Sequence, residues 1–189
     1  ARSQGARVVS SDLSLGMLRT GARLNRTGSY AVPLVQCDAC ALPFAAASFD
    51  VVFTAYGAVP FVADTAALMV ELARVLRPGG RLVFSTTHPV RWAFPDDPGP
   101  HGLTATMSYW DTTPYVESDP SGRPTYAEHH RTLGARVREL ADAGFRVLDI
   151  VEPVWKATNE QTWGGWSPLR GGVLPGTAIF VAEKAGADS

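Results

Sequence analysis

Residues 64–87 read DTAALMVELARVLRPGGRLVFSTT, and this stretch decides the fold. Its first half places apolar residues at helical spacing after Asp64, and Glu71 and Arg74 form a pair on the outer face. Pro78 and the two glycines after it end the helix, because proline cannot continue a helix and glycine accepts a left-handed turn. The stretch therefore predicts a helix, a tight turn and a strand over residues 81–87.

The rest of the chain repeats this alternation. Apolar runs predict strands over residues 7–11, 31–37 and 49–55, with a helix after Ser14 between the first two. The downstream elements are a helix that carries Leu133, Val137 and Leu140 and ends at Gly144, and strands over residues 145–151 and 177–182. Strands that alternate with helices predict an α/β fold with a doubly wound, mostly parallel sheet.

Length and composition suit one domain that spans residues 1–189. Apolar residues make up 46% and charged residues 19% of the chain, which is typical of globular proteins. A net charge of −1, with both signs interspersed, gives no basic surface for nucleic acid or anionic lipid. No apolar run is long enough to span a membrane, and the first residues lack the apolar core of a signal peptide, so we expect a cytoplasmic protein.

Cys37 and Cys40 are the two cysteines, in a Cys-x-x-Cys spacing that can serve redox or metal chemistry. No second pair exists, and histidines and acids do not converge at ligand spacing, so the sequence predicts no metal site. Two small, buried, reduced cysteines are the simpler interpretation.

Acidic residues at strand ends are the first candidates for ligand binding. In an open parallel sheet, ligands bind at the carboxyl ends of strands, where an acid can hold the two hydroxyls of a ribose. Asp12 has this position, although a helix cap is an equally good interpretation. Asp38 follows the next strand, and Asp50 lies in the third.

Three stretches resemble class I S-adenosylmethionine-dependent methyltransferases. VVSSDLSLGML at residues 8–18 is similar to the second motif of that family, and QCDACALPFAAASFDVVFTA at residues 36–55 is similar to the third and fourth. LARVLRPGGRLVFS at residues 72–85 resembles its helix, turn and fifth strand. The resemblance implies a Rossmann-like methyltransferase fold whose last strand is antiparallel.

The resemblance also implies a role for particular residues. Asp12 would bind the ribose of S-adenosylmethionine, and Leu13 and Met17 would pack against the adenine ring. Asp38 would accept a hydrogen bond from the adenine amino group, and the Ala39 backbone N–H would reach a ring nitrogen. The residues that would face the methionine part and the methyl group are Phe53, Thr54, Ala55 and Tyr56. For Leu13, Met17 and Phe53, ordinary core packing is the alternative.

One element of the family pattern is missing. The first strand and its glycine-rich loop should precede Arg7, and only six residues do. In this fold that strand lies between the strands predicted at 7–11 and 49–55, so its absence would leave unpaired backbone groups in the middle of the sheet. We expect the sequence to be an N-terminally truncated part of a longer protein.

The acceptor of the methyl group is expected to be a small molecule. Residues 88–128 are polar, aromatic and proline-rich without periodicity, which indicates an insertion or lid, and a glycine-rich stretch follows at 163–176. Planar rings suit a cavity with few polar anchors. The candidates for the walls are Tyr56, His88, Trp92, Tyr109, Tyr115, His129, Trp163 and Trp166.

Methyl transfer requires mainly proximity and alignment, with a base only where the nucleophile must lose a proton. His88, His129 and Tyr56 are the candidate catalytic residues. As alternatives, His88 closes a turn before Pro89, and His129 with His130 lies solvated on the first turn of a helix. Arg91 and Arg170 either clamp a carboxylate or form surface salt bridges.

Two other functions remain open. A nicotinamide-dependent oxidoreductase shares the strand-end acid but would need its own glycine-rich loop. A catalytically degenerate fragment that binds a cofactor or a partner would retain the fold alone. Acceptor, acceptor atom and oligomeric state are beyond the sequence.

Overall fold

The computed structural model describes residues 2–29 and 31–186. They belong to two compact units, Ala1–Ala45 and Ala46–Ser189, which are taken in turn. A short 3-10 helix, Arg2–Gln4, opens the first unit. Its strands and helix are β1 (Ser10–Asp12), α1 (Leu15–Thr27) and β2 (Leu34–Gln36).

The two strands of the first unit are parallel neighbours, with Ser10 paired to Leu34 and Asp12 to Gln36. Both are shorter than the sequence predicts. The Ser10 N–H donates to the Pro33 carbonyl, and Pro33 has no N–H to continue the ladder. Ser14 caps α1 by accepting from the Met17 N–H at 3.3 Å, which confirms the predicted start of that helix.

The second unit contains a four-stranded sheet in the order β3-β4-β8-β7. These strands are β3 (Phe49–Ala55), β4 (Leu76–Thr87), β7 (Phe145–Val151) and β8 (Thr177–Lys184). β3 is parallel to β4, whereas β8 is antiparallel to both β4 and β7. Three strands therefore run one way and the last strand runs the other, as the resemblance implies.

Two helices pack on this sheet: α2 (Thr65–Val75) contacts β4, and α3 (Leu133–Asp142) contacts β7. Asp64 caps α2 by accepting from the Ala67 N–H at 2.9 Å. The buried face of α2 includes Leu68 and Leu72, and its outer Glu71–Arg74 pair closes at 2.7 Å. The helix predicted after Asp64 is confirmed, but it ends at Val75, before Pro78. The predicted strand is also present, but it begins at Leu76, five residues earlier than predicted, and includes the Pro-Gly-Gly turn.

The segment at 88–128 contains more structure than the sequence predicts. Two 3-10 helices, Pro89–Ala93 and Pro100–Leu103, precede an antiparallel hairpin of β5 (Tyr115–Ser118) and β6 (Pro124–Glu128). Its turn follows the common Asp-Pro-Ser-Gly pattern, with Asp119 accepting from the Ser121 N–H and Gly122 at a φ of 82°. A further 3-10 helix, Val59–Phe61, follows β3, and a short helix α4 (Pro168–Gly171) precedes β8.

Candidate functional site

In the first unit, the two predicted cofactor acids follow neighbouring strand ends. Asp12 is the last residue of β1, and Asp38 lies two residues after the end of β2. The Cys37 N–H donates to the Asp12 carbonyl at 3.2 Å, so the chain remains paired up to the residue before Asp38. Parallel strands lie about 4.8 Å apart, so the two acids share one edge of this sheet.

Each of these carboxylates uses one oxygen in a local turn. Oδ1 of Asp12 accepts from the Ser14 N–H, and Oδ1 of Asp38 accepts from the Cys40 N–H, both at 2.8 Å. Within the part of the chain that the structure describes, no donor reaches either Oδ2, so each acid retains an acceptor for a ligand hydroxyl or amino group.

The apolar candidates beside them are exposed. Leu13 is 69% exposed and Met17 is 60% exposed, so core packing does not account for these two side chains. In α1, Leu18 is buried, whereas Leu15 is 46% exposed. Cys37 and Cys40 are half-buried and form no disulfide, which corrects the expectation that they are buried.

In the second unit, Phe53, Thr54 and Ala55 form the end of β3, and Phe53 is 60% exposed. Tyr56 follows at a φ of 52° and donates its N–H to the Ser85 carbonyl. The left-handed conformation is uncommon for a bulky residue, and such residues concentrate at functional sites. The Tyr56 hydroxyl bonds to the Thr177 hydroxyl.

An open cleft of about 220 Å³ contains Tyr56, and we call it the aromatic cleft. Its lining is formed by Tyr56, Pro153, Val154, Trp155, Lys156, Asn159, Trp163, Trp166, Gly171, Gly176 and Thr177. These residues converge because β3 and β7 end, and the antiparallel β8 begins, at one edge of the sheet. Ligands of open α/β sheets bind at this edge.

Two of the walls are held by local contacts. The Trp155 Nε1–H donates to the Asn159 carbonyl at 2.9 Å. Trp163 and Trp166 exchange both backbone hydrogen bonds around Gly164, whose φ is 53°. Trp163 is 74% exposed, whereas Trp166 is buried. The sequence predicted Tyr56, Trp163 and Trp166 individually, but not Trp155, Lys156 and Asn159, which follow the carboxyl end of β7.

A second, smaller cavity of about 20 Å³ lies beside α3, and we call it the histidine cavity. Its lining includes Trp92, His129, His130 and Arg136. The volume is that of about one water molecule. The predicted wall residues do not form one site. Tyr56, Trp163 and Trp166 line the aromatic cleft, Trp92 and His129 line the histidine cavity, and His88, Tyr109 and Tyr115 line neither.

His130 occupies the centre of an aromatic cluster around this cavity. Its ring centre is 5.5 Å from that of Trp92 and 5.6 Å from that of Tyr109, and its Nε2 lies 2.7 Å from the Tyr109 carbonyl. The side chain is 2% exposed, and burial lowers its pKa. The expectation of a solvated histidine pair on a helix is wrong, because α3 begins three residues later and the chain turns inward.

The two histidines predicted to be catalytic have other contacts. His88 Nδ1 accepts from the Val90 N–H at 3.1 Å, and its Nε2 lies 2.7 Å from Glu152 Oε1. Burial lowers the pKa of His88 although Glu152 opposes the shift, so the neutral ring carries its proton on Nε2. The Nδ1 contact to Val90 favours the turn-closing role. His129 donates its N–H to the Pro60 carbonyl. A catalytic role for either histidine stays a prediction.

Neither a metal cluster nor a membrane span is apparent in the part of the chain that the structure describes. No three His, Cys, Asp or Glu side chains there converge as a metal site. The helices in those same residues are too short or too polar to cross a bilayer.

The chain is similar to methyltransferases by sequence. A family model described as a methyltransferase domain matches residues 1–84. A demethylmenaquinone methyltransferase from Corynebacterium kroppenstedtii is 35% identical over 183 residues, 95% of this chain and 68% of that protein. One from Mycolicibacterium paratuberculosis is 48% identical over 85 residues, 43% of this chain and 34% of that protein. The first match thus spans about two thirds of the length of the Corynebacterium protein. The second match spans about one third of the length of the Mycolicibacterium protein.

Solved structures share the fold. A Mesorhizobium loti S-adenosylmethionine-dependent methyltransferase has a TM-score of 0.65 at 22% identity, covering 97% of this chain and 83% of that one. A Burkholderia thailandensis 1,6-didemethyltoxoflavin-N1-methyltransferase has a TM-score of 0.57 at 19% identity, covering 97% of this chain and 64% of that one. The chain belongs to the class I S-adenosylmethionine-dependent methyltransferase family. Its cofactor is S-adenosylmethionine.

Proposed function

We propose that this protein methylates a flat, quinol-type small molecule that binds in the aromatic cleft. The observation that supports this most directly is the cleft itself, with three tryptophans and Tyr56 at the edge where β3 and β7 end. Planar apolar walls with few polar groups select an aromatic ring system. The names of the relatives from Corynebacterium and Mycolicibacterium also point to a quinone-type acceptor.

The size of the aromatic cleft limits what it can enclose. Pockets for drug-sized ligands have volumes of about 300–1,000 Å³. At about 220 Å³, the cleft suits one ring system and leaves any long side chain of the acceptor outside. Val154, which is 88% exposed at the cleft, offers an apolar surface for such a side chain.

Polar groups in the cleft have distinct proposed roles. The Tyr56 hydroxyl, bonded to Thr177, would orient a ring hydroxyl of the acceptor. Lys156 would balance the negative charge that develops when that hydroxyl ionises. His88 and His129 are then not required as bases, because a quinol hydroxyl can lose its proton to solvent.

The cofactor roles remain part of the proposal. S-adenosylmethionine supplies the methyl group as a sulfonium. Asp12 would bind the ribose hydroxyls, Asp38 and the Ala39 N–H would bind the adenine, and Leu13 and Met17 would cover the ring. The residues proposed to face the methionine part and the methyl group are Phe53, Thr54 and Ala55.

A transfer assay tests the acceptor class. The full chain is incubated with S-adenosylmethionine labelled on its methyl group and with 1,4-naphthoquinol, and label in the organic phase is measured. We expect transfer, and we expect Tyr56→Phe to lower kcat/KM about threefold to tenfold, the worth of one hydrogen bond. Tyr126→Phe, in the exposed β6 strand, is the matched control and should behave like the unchanged protein.

Calorimetry separates this function from its alternatives. Binding of S-adenosylmethionine without transfer to any quinol would contradict the acceptor class and leave the cofactor role standing. Binding of NAD in place of S-adenosylmethionine would indicate an oxidoreductase. Binding of neither would identify a degenerate fragment.

A further inference from the structure

Arg170 is a fully buried arginine without an ion pair. Its side chain in α4 is 0% exposed, and no carboxylate of the residues that the structure describes lies within ion-pair distance. Nε and Nη2 are buried without a hydrogen-bond partner among those residues. Burying such a charge without a partner is costly. The expectation of a surface salt bridge is wrong for this residue.

The guanidinium of Arg170 connects two segments of the chain. Its Nη1 donates to the Gly165 carbonyl at 2.8 Å and to the Asp97 carbonyl at 3.3 Å. Ser167 adds a parallel link, because its hydroxyl donates to the Pro98 carbonyl at 2.5 Å. The loop at 96–98 and the segment at 163–171 are therefore held together at this point.

The same guanidinium supports a wall of the aromatic cleft. Its Cζ lies 4.7 Å from the ring centre of Trp166, within the range of a cation–π contact. The guanidinium therefore contacts the ring face through Cζ while its Nη1 is anchored to the Gly165 and Asp97 carbonyls, which restricts the position of that ring. Trp166 is 9% exposed, so its orientation is set by these neighbours.

The residue after Arg170 supports a second wall. A Cβ added to Gly171 would lie 2.3 Å from the Trp155 ring, so the bare backbone packs directly against that indole. Gly165 is equally constrained, since a Cβ there would lie 1.8 Å from Asp96 Oδ1. Two walls of the aromatic cleft, Trp155 and Trp166, thus depend on the same turn of chain at α4.

We propose that Arg170 is a positioning residue for the acceptor: it fixes Trp166 directly, and Trp155 through Gly171, so that the aromatic cleft is formed before the ring enters. A preformed cleft binds more tightly because less side-chain freedom is lost on binding. This inference rests on the proposed function only where it concerns the acceptor. The placement of Trp166 by Arg170 can be measured without any ligand.

The variant Arg170→Lys tests the proposal, because it retains the charge and removes the planar fork. In the full chain we expect Arg170→Lys to cause a red shift of tryptophan emission and stronger quenching by acrylamide. When the protein already carries Trp166→Phe, adding Arg170→Lys should cause neither change. The Kd for 1,4-naphthoquinone, measured by quenching, should rise about tenfold while the Kd for S-adenosylmethionine stays unchanged. Arg123→Lys, at an exposed hairpin arginine, is the control and should change none of these values.

Unchanged emission and unchanged naphthoquinone binding in Arg170→Lys would overturn the proposal. If that variant does not fold, Gly171→Ala replaces it, since it displaces Trp155 and leaves the guanidinium in place. A higher Kd for naphthoquinone then supports the proposal, and an unchanged Kd overturns it. If the unaltered protein does not bind naphthoquinone, the proposed acceptor class fails. The emission shift still decides whether Arg170 positions Trp166.

Discussion

The aromatic cleft and the histidine cavity are built from the same kinds of residue, yet they differ in what they can do. The cleft is open, holds about 220 Å³ and exposes most of Trp163. The cavity holds about 20 Å³, and its His130 and Trp92 rings pack together with their centres 5.5 Å apart. Aromatic and basic residues in a loop thus indicate either a ligand site or a satisfied polar core. Volume and exposure separate the two.

The largest expected effect lies in the histidine cavity. Arg136 is 4% exposed and pairs with Glu139 at 2.6 Å, and burial lowers its pKa while Glu139 opposes the shift. Breaking a buried pair on one side costs about 3–5 kcal/mol. We expect Arg136→Met to lower the free energy of unfolding by that amount in urea titrations. Arg138 is exposed on the same helix, so Arg138→Met should lower the free energy of unfolding by less than about 0.5 kcal/mol. Equal losses of stability in the two variants would contradict this prediction.

The two regions should respond oppositely to the loss of a tryptophan. Trp163→Ala should change the free energy of unfolding by less than about 0.5 kcal/mol and weaken naphthoquinone binding about tenfold. Trp92→Ala should cost about 2 kcal/mol of stability because its ring packs on His130 and Arg91, and it should leave binding unchanged. Reversed profiles would show that the acceptor binds at the histidine cavity.

The smallest expected effect is a dependence of stability on pH. Burial lowers the pKa of His130, with Arg131 and Arg136 adding to the shift and the Tyr109 carbonyl and Asp111 opposing it. In the unfolded chain this histidine has a pKa of about 6.5, so it takes up a proton at a pH where the buried ring of the folded protein stays neutral. Stability should be constant above that pH and fall below it by at most about 1.4 kcal/mol per pH unit for this group.

Urea titrations at several pH values measure this slope. His130→Gln should reduce it, and the part that remains is expected to come from His88, whose pKa burial also lowers. His101→Gln, at an exposed histidine, should retain the full slope. An unchanged slope in His130→Gln would show that this ring is protonated in the folded protein.

Elements with strong local patterns were predictable from the sequence. The strands at Phe49–Ala55 and Phe145–Val151 were predicted at their observed bounds, and the start of α2 after Asp64 was predicted within one residue. Their apolar spacing, caps and glycines act within a few residues of chain. The β5–β6 hairpin was missed because its exposed strands have no buried face and so no alternation.

The candidate site was predictable only where it follows from chain order. Asp12, Asp38 and Tyr56 follow the ends of strands, and that rule places them at a ligand edge whatever the loops do. Trp155 and Lys156 also follow a strand end, at β7, so the same rule applied to that strand would have found them. The contacts of His88 and His129 could not be predicted from the sequence, because Glu152 and Pro60, which they contact, lie far away along the chain.

By itself, the sequence determined the class of fold, the order of its elements and the family, since these depend on local spacing and on motifs read along the chain. Only the tertiary structure decided which loop aromatics form a cleft and which fill a cavity, and that Arg170 is buried. Those outcomes depend on contacts between residues more than 60 positions apart, such as Arg170 with Asp97 and Tyr56 with Thr177. No local pattern in the chain encodes them.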